Sequence, residues 1–187
     1  MQQSELETDG GENPHQNQTE RGLFRLWQTM WGANPHPLTN KNKLLRGRNM
    51  INEFRGKYYF LSNFYNTPVT WDGITYQNNE AAFQSAKVLD KSVREKFSTL
   101  DPSSAKRKGR HVQLRHDWEK VKYDIMYEIC LAKFSQNEEL KTKLLATGDE
   151  HLEEGNTWGD RIWGTVNGKG QNNLGKILMR VREELKS

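Results

Sequence analysis

The pattern of apolar and polar positions between residues 69 and 89 changes abruptly, from the alternation typical of strands to the spacing typical of a helix. Val69-Thr70-Trp71 and Ile74-Thr75-Tyr76 flank Asp72-Gly73. This arrangement predicts a tight hairpin, because glycine accepts the positive φ that such a turn requires. Asn78 or Asn79 then supplies a helix N-cap, since a short amide side chain bonds the free N–H groups of a first turn. The stretch therefore predicts a strand–turn–strand–helix unit.

The predicted helix has a polar face beside an apolar face. The polar face carries residues at positions i, i+3, i+4 and i+7, namely Glu80, Phe83, Gln84 and Lys87. The apolar face carries Ala82, Ala86 and Leu89. One interpretation is a solvated stripe beside the core. The other is a carboxylate and an amine at the wall of a pocket roofed by the aromatic turn of residues 60–65, where loss of water lowers the pKa of Lys87 and makes it a nucleophile or base.

Further helices are predicted by the spacing of apolar residues downstream. The clearest covers Trp118–Phe134 with Asp117 as a cap, and a second covers Glu138–Ala146. A short helix starts at Asp101-Pro102 and ends at Gly109 as a C-cap, and a last amphipathic helix follows Asn172 or Asn173. Residues 156–170 have a loop-like composition, rich in Trp and Gly. The expected fold class is α+β, predominantly helical, a single compact domain over residues 51–187 with a small β-hairpin.

The first 50 residues differ in composition from the rest and predict an N-terminal extension. Residues 1–20 are acidic and polar without Lys or Arg, and residues 21–50 are basic without Asp or Glu. Such segments bury too little apolar surface to fold alone, so we expect disorder. A short amphipathic patch at about residues 22–31 includes Trp27 and Trp31. It is suited to docking on the chain's own domain, on a protein partner or on a membrane surface.

Overall composition narrows the possible classes. The chain has 187 residues and a formal net charge of +4, which permits phosphate-bearing substrates without identifying a nucleic-acid binder. No apolar run is long enough for a membrane span and there is no signal-peptide pattern, so a soluble cytoplasmic protein is expected. The single cysteine, Cys130, excludes an internal disulfide. The five histidines lack metal-ligand spacing and no GxSxG elbow is present, so neither a metal site nor a serine hydrolase is predicted.

Two segments are candidates for anion binding. The basic run from Lys106 to Arg110, extended by Arg115, is either a solvated surface or a phosphate site. The Gly-rich stretch from Gly164 to Gly170, followed by a helix at Asn172 or Asn173, is either a connector or a loop beside a helix N-terminus that seats an anion.

Seven blocks in order, FLSNFYNTPV, DGITYQNNEAAFQSAK, KRKGRHVQLRHDW, LLATG, LEEG, DRIWG and NNLGKILMRVREEL, resemble the NADAR (YbiA-like) family of N-glycosidases. The resemblance covers about residues 53 to 185. It implies cleavage of a base–ribose bond without a cofactor. The implied substrate is either a phosphorylated ribosylaminopyrimidine of the riboflavin pathway or ADP-ribose attached to guanine, the latter opening the way to ADP-ribosylated nucleic acid as a partner.

The resemblance and the chemistry of the residues together give the candidate site. Carboxylates stabilise an oxocarbenium-like ribosyl centre, activate water or protonate the leaving base, and flat rings stack on the base. In the family, a lysine is proposed to form a Schiff base with the opened ribose, and Lys87 matches it. The expected catalytic residues are Glu80, Lys87, Asp160 and Glu154. The expected substrate-binding residues are Asn63, Phe64, Arg110, Arg115, Trp118, Trp163, Gly164 and Asn173, with Lys106 also facing phosphate.

Two other functions compete with the enzyme. The first is a non-catalytic sensor that binds ADP-ribose or NAD with the same pocket. The second is an interaction protein that acts through Trp27, Trp31 and the basic linker. The joint presence of Glu80, Lys87 and Asp160 favours the enzyme over the sensor.

Overall fold

The computed structural model describes residues 50–186. The predictions of a disordered extension and of an amphipathic patch at residues 22–31 lie outside this range. The elements begin with strand β1 (Met50–Ile51), a 3-10 helix (Gly56–Leu61), strands β2 (Asn66–Trp71) and β3 (Ile74–Asn78), and helices α1 (Asn79–Ser85), α2 (Lys91–Glu95) and α3 (Pro102–Lys108). They continue with helices α4 (Trp118–Ser135) and α5 (Glu138–Leu145), strands β4 (His151–Leu152), β5 (Thr165–Val166) and β6 (Lys169–Gly170), and helix α6 (Asn173–Glu184). The predominantly helical α+β class is confirmed.

The predicted hairpin is present as β2 and β3, which pair antiparallel with Val69 opposite Tyr76. Asp72 and Gly73 both have positive φ, 48° and 73°, as a two-residue turn of this kind requires. Burial alternates along both strands, and Val69 and Tyr76 are fully buried. The hairpin packs its inner face against α4, so its register delivers Asn78 to the start of α1.

Helix α1 begins as predicted and ends earlier than predicted. The Asn78 side chain accepts a hydrogen bond from the Ala81 N–H and caps the helix. The helix stops at Ser85, so Lys87 lies in the turn that follows rather than in the helix itself. The prediction that Leu89 belongs to the buried face is wrong, because the chain has left the helix there and Leu89 is 61% exposed.

Helix α4 is the centre of the core, as its apolar spacing predicts. Ile125, Ile129 and Phe134 are buried along it, and it contacts β2, α1, α5 and α6. The prediction of Asp117 as a side-chain cap is wrong. Asp117 occupies the N-cap position, but its carboxylate accepts two hydrogen bonds from the Arg115 guanidinium instead.

The remaining elements lie around α4. Strands β1 and β4 pair parallel, and β5 and β6 form a short antiparallel pair within the stretch expected to be a loop. Asn172 precedes α6 with a left-handed backbone, φ 51°, and makes no side-chain cap. Cys130 is fully buried in α4, and burial raises the pKa of its thiol to about 12. Within residues 50–186, no helix combines the length and apolar character needed to cross a membrane.

Candidate active site

A cavity of about 740 Å³ opens between the turn after the 3-10 helix, α1, α3, the first half of α4 and the loop between β4 and β5. This volume is within the range of small-molecule sites. Ser103, Lys106 and Arg107 of α3 line it at helical spacing, and Arg110 lines it from the turn that follows α3. The α4 residues that line it are each four positions apart: Trp118, Lys122 and Met126. One face of each helix therefore lines the cavity.

Helix α1 places Glu80 in the cavity wall with 6% of its surface exposed. One carboxylate oxygen accepts a hydrogen bond from Gln84 Nε2 at 2.9 Å. The Glu80 backbone N–H donates to the Asn63 carbonyl at 3.1 Å, which ties the helix start to the aromatic turn. Burial raises the pKa of Glu80, while Lys106, Gln84 and Lys87 act in the opposite direction.

Lys87 also lines the cavity, and its ammonium is held by the end of α3. Nζ donates to the Gly109 carbonyl at 3.1 Å and lies 6.0 Å from the centre of the Trp118 ring. Loss of solvent lowers the pKa of Lys87, with further lowering from Arg110 and Lys106, whereas Glu80 acts to raise it. A lysine in this environment keeps a larger neutral fraction than an exposed one, as a nucleophilic amine requires.

The opposite wall comes from the loop between β4 and β5 and carries Glu154 and Asp160. Burial, together with the nearby charges of Asp160 and Glu80, raises the pKa of Glu154 to about 8. Asp160 instead accepts hydrogen bonds from the Ile162 and Trp163 N–H groups, both at 2.9 Å. The two carboxyl groups therefore differ in their surroundings, since Glu154 retains a proton at neutral pH and Asp160 is held by two backbone N–H groups.

Two buried asparagines hold this loop in place. The Asn156 side chain donates to the Asp160 and Thr165 carbonyls at 2.7 and 3.0 Å, and accepts from the Asp160 N–H at 3.0 Å. The Asn172 side chain accepts from the Glu154 N–H at 3.0 Å and donates to the Leu152 carbonyl at 2.9 Å. Side-chain amides thus fix the backbone at both carboxylate positions.

Three aromatic residues that line the cavity, Phe83, Trp118 and Trp163, belong to one cluster of rings. The Phe83 ring centre lies 5.0 Å from that of Trp118 and 5.2 Å from that of Trp163, and Tyr123 continues the cluster from Trp163 at 5.4 Å. On the turn side, the Lys106 ammonium lies 5.6 Å from the Phe64 ring centre. These faces suit a planar base.

The aromatic turn that contributes Ser62, Asn63 and Phe64 is supported from beneath by Lys133, which the sequence reasoning missed. Lys133 is buried in α4, and its Nζ donates to the Phe60 carbonyl at 2.7 Å and to the Ser62 carbonyl at 2.9 Å. Burial lowers the pKa of Lys133 to about 7. From the sequence alone, a lysine in an otherwise apolar helix face is expected to reach solvent, so this role is visible only in the fold.

The structure brings most of the sequence-predicted residues into one cavity. All four expected catalytic residues, Glu80, Lys87, Glu154 and Asp160, line it. Five of the expected binding residues line it as well: Asn63, Phe64, Arg110, Trp118 and Trp163. Lys106 also lines the cavity, and its positive charge acts to lower the pKa of both Glu80 and Glu154.

Three expected binding residues lie outside the cavity lining. The Arg115 guanidinium pairs with Asp117 at 2.6 and 2.8 Å, so it is not directed to the cavity. Asn173 donates to the Ile162 carbonyl and to Gln171, and serves the loop instead. Gly164 packs against the Glu154 backbone, where an added Cβ would lie 2.1 Å from the Glu154 carbonyl oxygen. Its glycine is explained by close backbone packing.

Other lining residues were missed, among them Arg55, Tyr59, Lys122 and Trp158. Lys122 stands four positions after Trp118, so the helix period alone would have found it. Arg55 and Trp158 are distant in sequence and meet only in the fold, with the guanidinium 5.5 Å from the ring centre. No cluster of three or more His, Cys, Asp or Glu suited to a metal ion occurs within residues 50–186.

Comparison with known proteins identifies the family of the chain. The family model described as NADAR domain matches residues 49–186. The N-glycosidase YbiA of Escherichia coli (strain K12) is 42% identical over 132 residues, which is 68% of this chain and 82% of that protein. A riboflavin biosynthesis protein of Vibrio vulnificus is 41% identical over 130 residues, 67% of this chain and 35% of that protein.

A solved structure shares the fold. The NMR structure of the E. coli protein YbiA superimposes with a TM-score of 0.67 at 39% sequence identity, covering 74% of this chain and 86% of that one. The matched family model spans well over half of the chain, and the relatives of comparable length are N-glycosidases. The chain therefore belongs to the NADAR family and is a hydrolase that acts on N-glycosyl bonds.

Proposed function

We propose that this N-glycosidase cleaves the base–ribose bond of a phosphorylated ribosyl substrate in the cavity between α1, α3 and the loop between β4 and β5. The observation that carries the proposal is that three carboxyl groups, Lys87 and a cluster of aromatic rings line one cavity whose rim is basic. Each part has a task in this reaction, and no part requires a cofactor.

The aromatic cluster holds the leaving base, and the basic residues bind phosphate. Phe83, Trp118 and Trp163 offer faces to a planar ring. Lys106 and Arg107 of α3 line the cavity together with Arg110 from the turn after α3, and this group of cations suits the negative charge of a phosphate or diphosphate. A neutral nucleoside would bring no anion to these cations, so the phosphorylated substrate is favoured.

Bond cleavage divides the work among the carboxyl groups. The C1′–N bond breaks with its electron pair passing to the base, and Glu154, which holds a proton at neutral pH, protonates that base. The Glu80 carboxylate stabilises the positive charge at C1′. Water then adds to C1′ as Asp160 accepts its proton. The products are the free base and the ribosyl phosphate.

Lys87 has one of two roles in this scheme. As an ammonium it balances Glu80 electrostatically. As a neutral amine it attacks C1′ after the C1′–ring oxygen bond has opened, and the C1′–N bond to the base then breaks, so that the base leaves with a proton and Lys87 forms an imine with C1′. Water then hydrolyses the imine, which releases the sugar and restores the amine. Incubation with substrate and cyanoborohydride, followed by peptide mass spectrometry, separates them: a reduced sugar adduct on Lys87 supports the imine, and an unmodified Lys87 during full turnover supports the electrostatic role.

The main test follows two substrates by chromatography: a ribosylaminopyrimidine phosphate, from which the aminopyrimidine is released, and ADP-ribosylated guanosine, from which guanosine is released. Glu80→Gln and Lys87→Ala are each expected to lower turnover by at least ~100-fold, the lower range for losing an acid–base group. Glu95→Gln and Lys91→Ala change the same residue types at exposed positions of α2 and serve as controls. Near-normal turnover by both site variants, with unchanged melting temperatures, would contradict the mechanism.

The two substrates decide what the mechanism alone leaves open. The Vibrio relative is named for riboflavin biosynthesis, which supports the ribosylaminopyrimidine. The volume of about 740 Å³ supports the larger ADP-ribosylated guanosine. The substrate with the higher kcat/KM is the one for which the cavity is built.

A further inference from the structure

Gln84 sits between the proposed catalytic carboxylate and the end of α3. Its side chain is buried, with Nε2 donating to Glu80 at 2.9 Å. Its Oε1 is buried and has no hydrogen-bond partner. A buried carbonyl oxygen left unpaired is unfavourable, so the orientation of this amide must be stabilised by what its NH₂ group does on the other side. That group is the donor to Glu80.

Gly109 provides the space in which Gln84 sits. A Cβ at position 109 would lie 2.0 Å from Gln84 Oε1, 2.8 Å from its Cδ and 2.9 Å from its Cβ. Gly109 is the C-cap of α3, as predicted, but its φ of −65° is open to any residue, so the cap position does not by itself explain the glycine. The close approach of Gln84 does.

The same glycine also holds the second proposed catalytic group, because its carbonyl accepts the hydrogen bond from Lys87 Nζ at 3.1 Å. The junction of α1 and α3 thus orients Glu80 through Gln84 and orients Lys87 directly. The two groups are held by separate partners although they stand close enough to influence each other's pKa.

We infer that Gln84, seated against Gly109, is a positioning residue that fixes one oxygen of the Glu80 carboxylate and keeps that group as a hydrogen-bond acceptor, leaving its other oxygen for the ribosyl centre. This inference rests on the proposed role of Glu80. An amide NH₂ donates to an ionised carboxylate and stabilises its charge, which opposes the effect of burial. Without that donor, Glu80 would rotate more freely and hold its proton at a higher pH.

Gln84→Met tests the inference because methionine keeps the length and burial of the side chain and removes the donor. We expect kcat to fall by about tenfold or more, the scale of one hydrogen bond to a charged group, with little change in KM. We also expect the acidic limb of the kcat profile to move to higher pH, since loss of the donor raises the pKa of Glu80. Gln113→Met, at an exposed position, is the matched control.

The role of Gly109 is tested in the same assay. Gly109→Ala should lower both the melting temperature and kcat, because the new methyl group overlaps Gln84. The double variant Gly109→Ala/Gln84→Ala removes most of the overlap, so it should recover part of the melting temperature while kcat stays low. Recovery of kcat together with stability would show that Gln84 only fills space, and would overturn the inference.

The outcomes separate this inference from the proposed function. If Glu80→Gln is as active as the parent, the role of Glu80 is wrong and the inference falls with it. If Glu80→Gln is inactive while Gln84→Met keeps the parent kcat and acidic limb, the proposed function stands and the positioning role of Gln84 is overturned.

Discussion

The two walls of the cavity are built by different means. On one side, Glu80 and Gln84 come from a single helix, and Lys87 follows in the next turn, so helical spacing brings them together. On the other side, Glu154 and Asp160 come from a loop whose backbone is fixed by the side chains of Asn156 and Asn172. The first wall depends on regular helical hydrogen bonds, whereas the second combines backbone hydrogen bonds across the loop, such as that from the Asn156 N–H to the Thr165 carbonyl, with the amide side chains of Asn156 and Asn172. The loop wall should therefore be the more easily broken.

Among the variants that test the difference between the two walls, Asn156→Ala is expected to change stability and turnover most. It removes three hydrogen bonds and leaves the Asp160 N–H and the Asp160 and Thr165 carbonyls without that partner. At about 1 kcal/mol for each bond, we expect the free energy of unfolding to fall by roughly 3 kcal/mol, and turnover to fall with it because Asp160 loses its place. Urea unfolding and the base-release assay measure both. A change in turnover no larger than that of an exposed-site variant would show that the loop keeps its conformation without the Asn156 side chain.

Glu154→Gln tests the loop wall through the pH dependence of kcat and of stability. With a pKa of about 8 for Glu154, the proton donor is lost as pH rises past that value, so kcat should fall on the alkaline side. The folded-state pKa is raised above the unfolded value, so its contribution to stability is full below about pH 4.5 and is lost as pH rises to about 8. In the Gln variant, kcat should be low and this alkaline loss of stability should disappear. Thermal unfolding across this pH range, with Glu95→Gln as the control, checks the sign.

Asn78→Ala tests the helical wall at its start. The Asn78 side chain caps α1 by accepting from the Ala81 N–H at 2.8 Å. Removing an N-cap costs about 1 kcal/mol, and losing the bond that Asn78 Nδ2 donates to the Leu100 carbonyl at 3.0 Å costs about 1 kcal/mol more. The helix should persist because its residues are buried on several sides. We expect a modest loss of stability and a small change in kcat, in contrast with Asn156→Ala. Equal losses of kcat in the two variants would remove the distinction between the walls.

The smallest effect on stability is expected from Trp158→Ala at the rim of the loop wall. Trp158 is 56% exposed and carries the Arg55 guanidinium over its ring, so its removal should alter the free energy of unfolding by less than about 0.5 kcal/mol. If the substrate extends to the rim, KM should rise for ADP-ribosylated guanosine and stay unchanged for the smaller ribosylaminopyrimidine phosphate. Equal KM changes for both would place the contact nearer the cleaved bond.

The helical wall was largely predictable from sequence, because the relevant information is local. Asp72-Gly73 sets the hairpin turn, Asn78 sets the start of α1, and the positions of Glu80 and Lys87 follow from counting. The error at Leu89 arose because no local signal marked the end of the helix at Ser85.

The loop wall was predictable in its residues but not in its construction. Glu154 and Asp160 were expected in the site through resemblance, whereas the support from Asn156 and Asn172 depends on contacts across the loop that no periodicity records. Arg115 illustrates the same limit, since its charge suggested phosphate and its neighbour Asp117 takes it. Lys133, whose carbonyl partners lie about 70 residues earlier, was out of reach for the same reason.

Because Cys130 is buried, the reactivity of its thiol reports how often the core opens. Because the sequence contains one cysteine and that thiol is fully enclosed at the centre of α4, a thiol-reactive dye added to the intact protein has a single place to attach and no path to it. The rate of dye incorporation then measures how often the core opens. A bound substrate that contacts both walls should lower this rate.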